Sequence, residues 1–132
     1  MNISKSDAKD QKMIQDHNQA VKHHEFCMTL YREQIEQGRY FGYEQPASAS
    51  SWNLYCTREV GGMTGVVTVR ADMCQFGLHT TRQGQTGYVM KPTRFMTNSP
   101  LMAVKLGRVC SRDYEHIPLL ERRAGPAAVY TE

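Results

Sequence analysis

A stripe of largely apolar side chains recurs at steps of three and four through Ile14, His17, Val21, His24, Met28, Tyr31 and Ile35. In a helix that spacing puts all seven on one face. Lys22, Glu25, Arg32, Glu33 and Glu36 fall on the opposite, solvated face. The pattern predicts one helix over residues 7–37. Ser6 or Asp10 would cap its start, and Gly38 would close it in the left-handed conformation. A helix this long exceeds the usual globular length, so residues 1–12 are expected to fray. It also takes a large share of a 132-residue chain, which fits a single domain over 1–132.

After the helix the pattern changes period. "RYFGYEQP" reads as a short strand over Tyr40–Tyr43 ended by Pro46, and "ASASSWN" as a loop. A short helix is expected over Trp52–Val60. "GVVTVRADM" is the best strand, with β-branched Val66 to Val69 in a row. "GLHTTRQGQTGYVM" reads as a glycine-punctuated loop or hairpin tip, and "RFMTNS" as a third strand. Pro100 then opens a helix to about Val109, with Asn98 or Ser99 as its cap. Helix and strand alternate, which predicts an α/β class with a parallel or mixed sheet. Three or four strands are few for a doubly wound sheet, so the expected domain is a partial one.

Charge and cysteine usage narrow the context. The net charge is +3, and the cations gather after Arg58. Mild basicity permits nucleic-acid binding without requiring it. The first residues, "MNISKSDAKDQK", lack the apolar centre of a secretory signal, and no run of about 18 apolar residues occurs. Cys27, Cys56, Cys74 and Cys110 are widely spaced with no CxxC. Reduced thiols in an intracellular protein, cytoplasmic or nuclear, are the expectation, with no membrane partner.

Several clusters could carry chemistry. Glu44 ends a strand where open α/β sheets bind ligands, or is simply solvated. Cys74 ends the best strand, as a nucleophile or as a small buried residue. Lys91, Thr93, Arg94 and Asn98 suit a phosphate or a base edge, or form an ordinary basic strand edge. Trp52 would stack on a base or pack a helix onto the sheet. Three loose pairs, His23/Cys27, Cys74/His79 and Cys110/His116, are wider or fewer than the ligand pairs of structural zinc sites, so no metal site is expected. Phosphate-loop, HExxH, GxSxG and kinase signatures are all missing from the sequence.

The ordered set "GRYFGYEQPASASSW", "DMCQFG" and "KPTRFMTNSP", then Cys110 and "HIPL", resembles the C-terminal half of divergent cytosine-5 DNA methyltransferase-like domains of phages and protist retrotransposon polyproteins. It covers about residues 20–130. The resemblance implies a partial Rossmann-like, methyltransferase-like open sheet with a long N-terminal helix. It implies that Glu44, Lys91, Thr93, Arg94 and Asn98 face nucleic acid, with Trp52, Cys74 and Gln75 lining the same site. Gln45 stands where the family more often has Asn or His. The family's glycine-rich cofactor turn and Pro-Cys nucleophile loop have no counterpart here. No cofactor is therefore expected, with S-adenosylmethionine entering only if a partner chain supplies the missing half.

The expected role is a nucleic-acid-associated, non-catalytic fragment of a mobile-element protein that contacts DNA. Two alternatives stand beside it: half of a split DNA methyltransferase, and an orphan or protein-interaction domain without ligand. A truncated sheet with an unpaired edge also implies a homo-oligomer or a complementary chain.

Overall fold

The computed structural model describes residues 4–112 and 114–118. Helix α1 spans Lys5–Glu36 without a break. Its cap is Ser4, two residues before the nearer expected cap, Ser6, and its hydroxyl accepts from the Asp7 N–H at 3.1 Å. The end follows the expectation. Gly38 sits at φ +70°, its N–H donates to Ile35 O, and the Arg39 N–H donates to Gln34 O. Those two bonds satisfy carbonyls that the last turn would leave open.

Strand β1 covers Gly42–Pro46, later than the expected Tyr40–Tyr43. The shift has a cause: Asn98 Oδ1 takes the Phe41 N–H and Asn98 Nδ2 donates to Arg39 O, so residues 39–41 are tied to a side chain rather than a ladder. The helix expected over Trp52–Val60 is two pieces, a 3₁₀ turn at Ser50–Asn53 and α2 at Tyr55–Gly61, separated where Leu54 turns extended. Then come β2 (Val67–Asp72), a 3₁₀ turn (Met73–Phe76), β3 (His79–Arg82), β4 (Gln85–Tyr88), β5 (Pro92–Thr97) and α3 (Pro100–Leu106). Ser99 caps α3 by accepting from the Met102 N–H. β3 and β4 form a hairpin whose two turn residues, Gln83 and Gly84, both have positive φ, the geometry that matches strand twist in two-residue turns.

The main sheet has the order β1-β5-β2, and both of its pairings are antiparallel. The parallel, partial Rossmann-like sheet of the sequence expectation is thus replaced by a mixed α/β fold around an antiparallel sheet. The alternation of helix and strand was nevertheless informative. β1 and β2, both antiparallel to β5, run in the same direction with α2 between them, and β5 fills the gap that a simple crossover would close.

Two cores flank this sheet. On one face, Tyr43 and Met96 pack with Met28, Phe41, Trp52, Val60 and Val66, under α1 and α2. On the other, Ala71 and Phe95 pack with Met73, Leu78 and Val89 beneath the hairpin. α3 covers the rest of that second face, and a Cβ on Gly42 would stand 3.1 Å from Met102 Cε. None of the helices among the described residues is long and apolar enough to cross a membrane.

Candidate metal centre

The strand register decides which side chains can share a site. Residues opposite each other across an antiparallel pair share a face, and neighbours along a strand alternate. Glu44 is opposite Phe95, whereas Arg94 is opposite Gln45 and Arg70. Glu44 and Arg94 therefore lie on opposite faces of the sheet and form no common cleft. Thr93 is fully buried, with its hydroxyl donating to Lys91 O. Lys91 and Asn98 flank opposite ends of β5, about 24 Å apart along an extended chain. Asn98 is occupied by its brace to residues 39 and 41. Trp52 is buried, donates from Nε1 to Pro46 O, and carries the Arg94 guanidinium 5.9 Å from its ring centroid. It packs the first core, as the plainer of its two readings had it.

Cys74 and Gln75 belong to a different cluster. β2 ends at Asp72, and the 3₁₀ turn that follows puts Cys74 at the sheet's end. That turn closes on Gly77 at φ +86°. Asp72 is fully buried and works in two directions. Its Oδ1 accepts from Arg70 Nε at 3.1 Å and its Oδ2 from the Cys110 N–H at 2.7 Å. The Asp72 N–H donates to Arg108 O at 2.8 Å. Residues 108–110 are thus clamped against the end of β2, which sets Cys110 beside Cys74. His116 arrives separately. It bridges Tyr88 in parallel, and the Ile117 N–H donates to Tyr88 O at 2.9 Å. Gly87 makes room for this segment: a Cβ there would meet the Ile117 side chain at 2.9 Å.

The result is a cluster of Cys74 Sγ, Cys110 Sγ and a His116 ring nitrogen, all within 4.8 Å of one another. Cys110 Sγ and His116 Nε2 are 3.5 Å apart. Cys110 Sγ also accepts the Arg112 N–H at 3.3 Å, made possible by Arg112 at φ +64°. A non-glycine residue in that conformation carries strain. Burial pushes the Cys74 thiol above its usual range, partly offset by the Tyr114 hydroxyl. Burial also acts to raise Cys110, but the Arg112 N–H, Tyr114 and Cys74 outweigh it and hold Cys110 below the usual range. Cys110 is the readier thiolate of the pair.

Cys110 and His116 had been one of the loose pairs noted in the sequence. His79, paired there with Cys74, lies outside the cluster and bonds Gly77 O through Nδ1. His23 and Cys27 touch at 3.6 Å on the exposed side of α1 with no third donor among the described residues. The clamp that unites Cys74 with Cys110 is a buried aspartate, which has no sequence signature. No family model, curated protein or solved structure matches the chain, so the methyltransferase-like resemblance rests on its motifs alone.

Proposed function

We propose that this chain is a small metal-binding module whose Cys74, Cys110 and His116 hold a zinc(II)-class cation. The observation that carries the reading is the donor geometry. Zinc bond lengths at the tetrahedral angle give about 3.5 Å between a sulfur and a nitrogen ligand, and about 3.8 Å between two sulfurs. The 3.5 Å separation of Cys110 Sγ and His116 Nε2 meets the first value. The donors are two soft sulfurs and an imidazole, the set that selects zinc over calcium or magnesium. The Arg112 N–H and the Asp72 clamp supply the outer support such ligands need.

The role that follows is a staple. The described residues of 107–112 and 114–118 form no helix and only an isolated bridge, and Val109 is exposed. A metal would fix this segment to the end of β2 where apolar burial does little. The nucleic-acid and split-methyltransferase readings would need Glu44 and the Lys91–Arg94 corner to act together, and Glu44 and Arg94 lie on opposite faces of the sheet. The metal corner is the better supported site.

The test is zinc titration of the reduced chain against a chromophoric chelator. One equivalent should bind with a Kd tighter than about 1 µM. Cys74→Ser and Cys110→Ser should each weaken binding at least tenfold, while Cys27→Ser should not. At a free zinc concentration of about 100 Kd, linkage adds about 2.7 kcal/mol, raising Tm by about 10 °C. Reduced wild-type chain that binds no stoichiometric zinc would sink the proposal.

A further inference from the structure

We propose that Arg70 and Arg94 form a binding site for a phosphate dianion, as inorganic phosphate or a phosphate monoester, on the open part of the main sheet. The site needs no metal and stands apart from the metal-binding reading, although Asp72 touches both. Strand register puts the two arginines directly opposite each other across β2 and β5, and puts Gln45 of β1 opposite Arg94. The three side chains therefore stand in one row on one face. That face also carries Tyr43 and Met96 of the first core, yet both arginines are exposed. Like charges directly opposite on a sheet are unfavourable. Here each head is held by its own neighbour, at the same end of the sheet. Arg70 Nε donates to Asp72 Oδ1 at 3.1 Å, which draws that head to the last residue of β2. The Arg94 guanidinium lies 5.9 Å from the Trp52 ring centroid, and the indole is tied to Pro46 O at the last residue of β1.

Between those two anchors runs Pro92, the exposed first residue of β5. The heads flank it across two strand spacings, about 9.5 Å. A phosphate with an N–H···O bond on each side spans about 8 Å from nitrogen to nitrogen. One anion thus bridges the pair with a small lean of either side chain. Arg70 meets Asp72 through Nε, and Arg94 has no carboxylate partner among the described residues, so each guanidinium keeps N–H donors for the ligand. Planar forks of paired N–H groups suit phosphate oxygens, and two of them offer more to a dianion than to chloride. The Asp72 carboxylate opposes the anion, so the affinity is modest. A nucleic-acid strand asks for cations repeated along its backbone. This row offers a single bridging position, which favours a terminal phosphate.

Trp52 is the single tryptophan of the chain and lies against Arg94, so its fluorescence reports the site. Inorganic phosphate titrated into the full reduced chain, with chloride holding the ionic strength constant, should change that fluorescence saturably with a Kd of about 1 mM. Phosphorus NMR line broadening should return the same Kd without relying on the indole. By the NMR readout, Arg94→Gln should bind at least tenfold more weakly. Arg70→Lys keeps a cation for Asp72 but loses the fork, and should also weaken binding about tenfold. Arg58→Gln, on the exposed side of α2, should match wild type. Variants on two different strands keep the test decisive if one of them fails to fold. A 5′-phosphorylated dinucleotide should bind as phosphate does, and its unphosphorylated counterpart at least tenfold more weakly. Wild type without saturable binding, or folded Arg94→Gln with full affinity, would overturn the site. Equal binding of the two dinucleotides would overturn the terminal-phosphate assignment.

Discussion

At the scale of single residues, Asp72 does the most with the fewest atoms. It is the sole fully buried carboxylate among the described residues, and it joins β2 to the Cys110 segment through two hydrogen bonds while its other carboxylate oxygen holds Arg70. The Cys110 N–H is left buried and unpaired if the carboxylate goes. Asp72→Ala should cost about 2–3 kcal/mol in urea unfolding. It should also weaken zinc binding, although Asp72 touches no metal. Asp72→Asn keeps an oxygen for the Cys110 N–H and should lose less of both. Unchanged zinc affinity in Asp72→Ala would mean that Cys110 is placed by something else. None of this could be read from "RADMCQFG", because an aspartate at a strand end looks solvated until the chain that covers it is known. The same blindness explains Glu44 and Arg94. Which face each occupies turns on a register offset of one residue, and that register is set by pairing partners more than 40 positions away.

At the scale of elements, local signals were read well where the chemistry is local. The glycine at position 38 and the Ser-Pro pair at 99–100 end and begin helices as their backbone preferences require. The β-branched run gave β2. Periodicity placed α1 but could not say how much of its stripe is used. Met28 is buried, with Tyr31 and Ile35 packed on the first core, while every residue from Lys5 to Ala20 is exposed. That free half is about as long as the shortest isolated helices that hold together in water. Hydrogen exchange should therefore be fast for amides of residues 9–20 and slower by at least about a hundredfold around residues 28–35. Equal protection along the helix would show that something covers the outer half, which the proposed self-association of this chain would do.

At the scale of the whole molecule, stability depends on a small aromatic core. Tyr31 stacks on Phe41 at 4.9 Å, and Tyr43 meets Trp52 edge-on at 5.1 Å. Burial, followed for Tyr31 by the nearby Cys27, raises both phenols above the ordinary tyrosine value of about 10. The folded state thus favours neutral tyrosine more than the unfolded state does. That contribution is complete below about pH 10 and is lost as pH climbs toward the raised values. Tm should stay flat between about pH 7 and 9 and fall by pH 11, and Tyr31→Phe with Tyr43→Phe should blunt the fall. A wild-type Tm that holds at pH 11 would show the two hydroxyls have no role in alkaline unfolding.

The position of β5 has a bearing on how such a chain is made. Among the described residues it is the last strand in sequence, yet it supplies every ladder hydrogen bond that β1 and β2 make in the main sheet. A nascent chain that has reached residue 90 holds two waiting edges and nothing to join them. The ribosome must deliver the chain through Pro92–Thr97 before the sheet can close at all, and premature products ending short of it would be left to chaperones and proteases.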